Sequence, residues 1–290
     1  MPYLHARGQK LWYTDSEWGA VPLLFLHGFL MDGTMFDRQV DALEKHYRCI
    51  TLDARCHGKT KESGDDFTLW DLADDVISVL DHLGIESAVV VGMSQGGMVA
   101  QRLALAHPER VRALVLISTE ARDMTDADRQ FRLDRDAAWV AEGPHDYAPA
   151  VAERVFGDPV LESEWTAKWM TWDTARLPQA SRALSFRESL VDRLGEIRVP
   201  VLQIHGTDDT AIALKWAFQL RDGLADVTVV IVDGAHHSPN MTHSAQVNGS
   251  IHRFLQSKLR DVGEVPGHRP LGDGSASAAC TKTGGVTGCG

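Results

Sequence analysis

Residues 88–100, Ala-Val-Val-Val-Gly-Met-Ser-Gln-Gly-Gly-Met-Val-Ala, constrain this chain more than any other stretch. A β-branched, apolar run suited to a strand covered on both faces gives way within a few residues to helical spacing. Between them stands Ser94, with Gly92 two positions before it and Gly96 two after. The spacing has a steric reading. A serine that holds its Oγ clear of a sheet edge must take a strained bend with positive φ. Strand and helix then pass so closely that the flanking positions have no room for a side chain, and glycine fits. Gly97 lets the helix start lie close as well. Val99, Leu103 and Ala106 recur at helical spacing, and His107-Pro108 ends the helix. Strand, bend and helix are the context in which G-x-S-x-G presents a nucleophile.

The rest of the chain repeats the strand–helix alternation. Residues 9–14 read as an edge strand and residues 22–26 as a buried one, ending in His27-Gly28-Phe29. Asp32 begins a helix running to about residue 45, and residues 48–53 form the next strand. Thr68 caps a helix that runs to His82, with Gly84 at its end. After the Ser94 segment, residues 112–118 are another buried strand. From residue 120 to 192 the alternation stops: the pattern is helical, broken at Gly143-Pro144, Gly157-Asp158-Pro159 and Pro178. Four of the eight tryptophans fall here, Trp139, Trp165, Trp169 and Trp172, the last three on one helical face. Strands resume at residues 199–205 and 227–232, with helices over residues 214–224 and 245–260.

The pattern predicts an α/β fold: a mostly parallel, doubly wound sheet with an inserted helical cap above the carboxyl ends of the strands. Its parts are a first core segment (1–119), the cap (120–192), a second core segment (193–260) and a disordered tail (261–290) rich in glycine, serine, threonine and alanine.

Composition narrows the function. A net charge of −11 argues against nucleic acid and anionic membrane as partners, and no apolar run approaches the length of a span. Cys49, Cys56, Cys280 and Cys289 form neither a disulfide framework nor a zinc spacing, and the first residues lack a signal-peptide core. The expected location is cytoplasmic. The expected partner is a small molecule, and a homo-oligomer is compatible with the sequence.

A serine hydroxyl needs a base within hydrogen-bond reach and a third group to orient that base. Two loops that follow strands offer them. Gly206-Thr207-Asp208-Asp209 supplies candidate acids and Gly234-Ala235-His236-His237-Ser238-Pro239 candidate bases, in the chain order Ser, Asp, His. Glu120, also after a strand, is a third candidate acid.

Across about residues 10–258 the chain resembles the α/β-hydrolase superfamily. The likeness is carried by His27-Gly28-Phe29, Asp53-x-Arg55-x-His57-Gly58, Gly92-Met93-Ser94-Gln95-Gly96-Gly97, Pro200-Val201-Leu202-x-x-His205-Gly206-x-x-Asp209 and the Gly234–Pro239 loop. The resemblance implies Ser94 as nucleophile, His237 as base and Asp209 as orienting acid, with the backbone N–H groups of Phe29 and Gln95 as oxyanion hole. No metal or cofactor is implied. Within the family the elbow and short cap look most like serine esterases and enol-lactonases, which makes a small ester or lactone the expected substrate. Carbon–carbon bond hydrolases and cofactor-free haloperoxidases share the same constellation, and a ligand receptor built on this fold is the non-enzymatic alternative. Three departures stand out: Cys56 and His236 occupy positions where relatives usually have glycine, and the proline familiar after the acid loop is missing.

Other residues have blander readings. His27 and His57 suit structural hydrogen bonds bracing the oxyanion loop, and His236, His237 and His243 match no metal motif. Trp139, Trp165, Trp169, Trp172 and His236 are candidate pocket residues, although a tryptophan stripe is equally the apolar underside of a helix. Arg122, Arg129, Arg132 and Arg135 read as a solvated helix face, or as a site for a substrate carboxylate.

Overall fold

The structure, a computed structural model, describes residues 3–60 and 65–259; the proposed tail at 261–290 lies outside them. The described strands are β1 (Tyr3–Ala6), β2 (Gln9–Asp15), β3 (Pro22–Leu26), β4 (Arg48–Leu52), β5 (Ala88–Met93), β6 (Val111–Ile117), β7 (Val201–Gly206) and β8 (Val227–Val232). They form one sheet in the order β1-β2-β4-β3-β5-β6-β7-β8. The pairings β1–β2 and β2–β4 are antiparallel, and those from β4 across to β8 are parallel. Helices α1 (Asp37–Leu43), α2 (Leu69–His82) and α3 (Gln95–Ala106) come before β6. Between β6 and β7 lie α4 (Asp126–Glu142), α5 (Ala148–Phe156), α6 (Pro159–Trp169) and α7 (Leu177–Ser185). Helices α8 (Leu214–Gly223), α9 (Pro239–Thr242) and α10 (Ser244–Lys258) complete the chain order.

Strand alternation divides the core between the two faces of the sheet. Leu24, Leu26, Val90 and Leu114 pack with Leu72, Val76 and Val79 of α2 and Val99 and Leu103 of α3. Leu23, Phe25, Val89 and Val115 pack on the other face with Leu43 of α1 and Val247, Ile251 and Leu255 of α10. Burying each such side chain contributes about 1.5–3 kcal/mol. Trp139, Phe156, Trp165 and Trp169 of the inserted helices continue this second cluster, so the insertion shares its apolar interior with the sheet.

Polar ties hold the insertion in register. Trp169 Nε1 donates to Leu30 O at 2.6 Å, and Lys168 Nζ lies 2.6 Å from Asp32 Oδ2. Arg154 Nη2 donates to Thr210 O at 2.7 Å, and Ser238 N donates to Val155 O at 3.0 Å.

Local signals explain the boundaries. Thr68 closes a capping box with Asp71 at the start of α2, and Gly84 takes φ +64° just past its end. The sequence reading is corrected in three places. β2 is not an edge strand, because β1 pairs beyond it through a tight turn at Arg7 and Gly8, both with positive φ. The helix expected from Asp32 is divided: Asp32 caps a 3₁₀ turn (Gly33–Phe36), and α1 follows. Trp172 does not share a helical face with Trp165 and Trp169, because α6 ends at Trp169.

The elbow geometry is set by backbone meeting backbone. A Cβ on Gly96 would lie 2.0 Å from Leu26 O, and one on Gly92 would lie 2.4 Å from Gly96 O. Neither obstacle is the end of a flexible side chain, so strand, bend and helix would have to separate. Gly96→Ala is expected to cost about 3 kcal/mol or more. Urea denaturation measures this, and an unchanged midpoint would show that the crossing has slack.

Candidate active site

Ser94 sits at the junction of β5 and α3 with φ 50° and ψ −114°, a conformation that L-residues rarely adopt. Ser94 N donates to Ile117 O at 2.9 Å, and Thr119 Oγ1 donates to Ser94 O at 2.7 Å, so the bend is held from β6. Its side chain stays half-exposed in an otherwise buried segment. Across from it runs the His27-Gly28-Phe29 turn: a Cβ on Gly28 would stand 3.5 Å from that of Ser94. Among the described residues, neither Phe29 N nor Gln95 N donates to a protein acceptor. Gln95 opens α3, where the helix dipole adds positive potential.

The turn is braced from beneath. Ala54 N donates to His27 Nε2 at 2.9 Å, which leaves Nδ1–H to donate to Gly28 O at 2.8 Å. His57 Nδ1 donates to Arg55 O at 2.8 Å, and burial drives the imidazole down to about 3, so it stays neutral. Asp53 accepts from Gly33 N and Lys59 N, both at 2.8 Å. Arg55 forms a buried bidentate pair with Asp75 of α2 at 2.6 and 2.8 Å. Cys56 adopts φ +65°, so the turn keeps a left-handed residue without glycine.

Asp209 follows β7 and is buried. Its Oδ1 accepts from Ala211 N at 2.8 Å and Ile212 N at 2.9 Å, which closes the loop without a proline. Its Oδ2 lies 2.8 Å from His237 Nδ1. His205 Nε2 approaches the same oxygen at 3.2 Å while bonding Ile212 O at 2.8 Å. Burial pushes the Asp209 carboxyl up, but the charge of His237 and the hydrogen bonds from His205 and His237 outweigh it and hold it well below the usual carboxylate range. Among the described residues, no hydrogen bond joins Ser94 Oγ to His237. His205 is a contributor that sequence reasoning missed; its signal was its place at the end of a doubly buried strand, four residues before Asp209.

The other candidates lie elsewhere. Asp208 is exposed and accepts from Thr207 Oγ1. Glu120 is committed to Arg187 at 2.6 Å and Arg122 at 2.8 Å. His236 packs on the insertion, where a Cβ on Gly157 would stand 2.5 Å from its ring. Among the described residues no cluster of His, Cys, Asp or Glu could hold a metal ion, and no helix is long and apolar enough to cross a membrane.

The tryptophans divide. Trp139 and Trp169 are fully buried, with ring centres 5.9 Å apart, and Phe156 lies 6.1 Å from Trp165 and 6.4 Å from Trp169. Trp165 also lines a cleft of about 290 Å³ with Thr34, Asp37, Arg38, Glu164 and Lys168. Trp172 stands edge-on to His57 at 5.8 Å, beside the braced turn. The arginines are not a solvated face: Arg122 pairs with Glu120, Arg129 with Asp126 and Arg135 with Asp136.

Sheet order, elbow and loop placement define a class, and comparison with known proteins gives it a name. Residues 21–244 match the family model described as the alpha/beta hydrolase fold, and the chain belongs to that family. It is 31% identical over 255 residues to a relative in Azorhizobium caulinodans that carries the provisional name carbamate hydrolase RutD, a match covering 81% of this chain and 91% of the relative. A relative in Synechocystis provisionally named a non-heme chloroperoxidase is 28% identical over 278 residues, 88% of this chain and 100% of that one. The enol-lactonase structure from Burkholderia xenovorans LB400 superposes with a TM-score of 0.81 at 26% identity, covering 88% of this chain and 100% of that one.

Two outcomes follow from the local geometry. The depressed Asp209 carboxyl contributes stability that is present above its unfolded pKa of about 3.9 and is lost as pH falls toward the lower folded value. Asp209→Asn, with nothing to protonate there, is expected to show a flatter loss of stability below about pH 4 in thermal melts. Cys56→Gly, which relieves a left-handed L-residue, is expected to raise stability by about 0.5–1 kcal/mol in the same assay.

Proposed function

We propose that the protein is a serine hydrolase that cleaves a small carboxylic ester or lactone through an acyl-enzyme. The observation that carries this reading is the 2.8 Å contact between Asp209 Oδ2 and His237 Nδ1. With Nδ1–H donated to the carboxylate, the lone pair of the neutral ring is on Nε2, the nitrogen that must accept a serine proton. Ser94 Oγ attacks the carbonyl carbon as His237 Nε2 takes its proton. The carbonyl oxygen becomes an oxyanion between the Phe29 and Gln95 amides, which already point at no protein acceptor. His237 then returns the proton to the departing alkoxide oxygen, leaving Ser94 acylated. In the second half, water attacks with His237 again as base, and the acid and free Ser94 are released. In a lactone, the leaving oxygen stays on the acyl chain throughout, and the two halves of the reaction release a single hydroxy acid. The hydrogen bond between Ser94 and His237 belongs to the substrate complex, since such bonds often tighten only when substrate is bound.

The names carbamate hydrolase and enol-lactonase favour bond cleavage at an activated carbonyl without distinguishing its kinds. Against an aspartate-nucleophile reaction stands the serine at the elbow. The Synechocystis relative's name favours a second reading in which hydrogen peroxide replaces water as the acceptor of the acyl group and a peracid leaves. The helices between β6 and β7 serve in either case as the cap over Ser94.

Ser94→Ala is expected to abolish release of p-nitrophenol from short acyl esters and labelling by a fluorophosphonate, with the circular dichroism spectrum unchanged. Asp209→Asn is expected to lower kcat on the order of 10⁴-fold. Full turnover by the Ser94→Ala protein would end the proposal, and assays with and without peroxide separate the two acceptors.

A further inference from the structure

One face of α4 bears two buried donors that the protein itself leaves unused. Arg132 and Trp139 stand seven residues apart on that helix, two turns, and so share a side. Arg132 Nε and Trp139 Nε1 are both shut off from solvent, and among the described residues neither meets an acceptor. The surrounding charges are already matched. Arg129 bonds Asp126 and Ser185 O, Arg135 holds Asp136, and Arg187 holds Glu120. Asp136 spends its second oxygen on Ser181. Among the described residues Arg132 has no carboxylate within ion-pair distance.

Its position is close to the reacting centre. The guanidinium carbon lies 5.3 Å from the centre of the Phe29 ring, in the turn that passes alongside Ser94. Arg154, anchored on Thr210 O next to Asp209, and Arg187 are near enough to repel it. Burial, with repulsion from Arg135, pulls the guanidinium down to about 9, so it remains charged at neutral pH. Arg132 is only part-exposed, and a cation held there without an ion-pair partner is unfavourable; its planar fork of donors suits a carboxylate that would offset this.

We propose that Arg132 anchors an ionised carboxylate on the substrate, so that the preferred esters or lactones bear a free carboxyl group a few carbons from the scissile carbonyl. The proposal rests on the hydrolytic reading above and adds the substrate class to it. Arg132 acts as a specificity residue: it holds the remote end of the acyl chain while Ser94 meets the carbonyl.

The test uses the full-length protein and monomethyl esters of the C4 to C7 dicarboxylic acids, each paired with the methyl ester of the neutral acid of equal length, followed by pH-stat. At the best-fitting length the wild type is expected to favour the anionic ester at least about tenfold in kcat/KM. Arg132→Gln is expected to lower that ratio about 10- to 100-fold, mainly through KM on the anionic ester, and Arg132→Lys to restore part of it. A merely structural arginine would lower both esters together. Such a parallel loss, or a wild type without preference at any length, overturns the anchor while leaving the hydrolase intact. Calorimetric titration with the free dicarboxylates separates the two ideas. Binding to wild type that is lost in Arg132→Gln, with no ester turned over, sustains the anchor and ends the hydrolytic reading. No binding and no preference ends the anchor.

Discussion

The structure depends on a place where main chain touches main chain. β5 turns into α3 so tightly that Gly92 lies against Gly96 and Gly96 against the carbonyl of Leu26 in β3. No side chain cushions these contacts, which fixes the separation of three elements at once. That fixed spacing forces Ser94 into its left-handed bend and puts the Gly28 turn alongside. Sheet, helix and the Ser94 corner are therefore one geometric object. Packing elsewhere can vary by a methyl group; here it cannot.

Around that corner, buried charge is matched across long stretches of chain. Asp53 ties two loops, Arg55 reaches Asp75, and Glu120 receives two arginines from the inserted segment. Asp209 takes two amides on one oxygen and faces two imidazoles with the other. Ion pairs of this kind add little net stability, because desolvation offsets most of the attraction. What they do is restrict the loops to one arrangement. Arg132 is conspicuous against this background because, among the described residues, no carboxylate pairs with it.

Much of the fold was legible because periodicity reports burial. The apolar runs of β3, β5, β6 and β7 and the capping residue of α2 are local signals, and so is the glycine pair beside Ser94. The loop contents were legible as well, since ordered strand ends put Asp209 and His237 on the same edge of the sheet. What stayed hidden was whatever depends on distant partners. β1 has four residues and no strong alternation, and exists because β2 offers it an edge. Trp172 keeps helical spacing from Trp169, yet nothing local marks the end of α6 between them. Sequence puts Arg129, Arg132 and Arg135 on one helix but says nothing of which carboxylates await them. The inward turn of Arg132 and the second imidazole on Asp209 are both facts of tertiary contact.

The tie between Trp169 and Leu30 has a mechanical consequence. Leu30 follows Phe29 and itself has φ +64°, while Lys168 grips Asp32 two residues further on. Helix α6 and the loop over residues 28–32 are thus fastened at adjacent points. Lifting α6 would pull the main chain of that loop with it. Under the proposed mechanism a raised helix would carry the Phe29 amide off its target, so turnover would require the helix to be down.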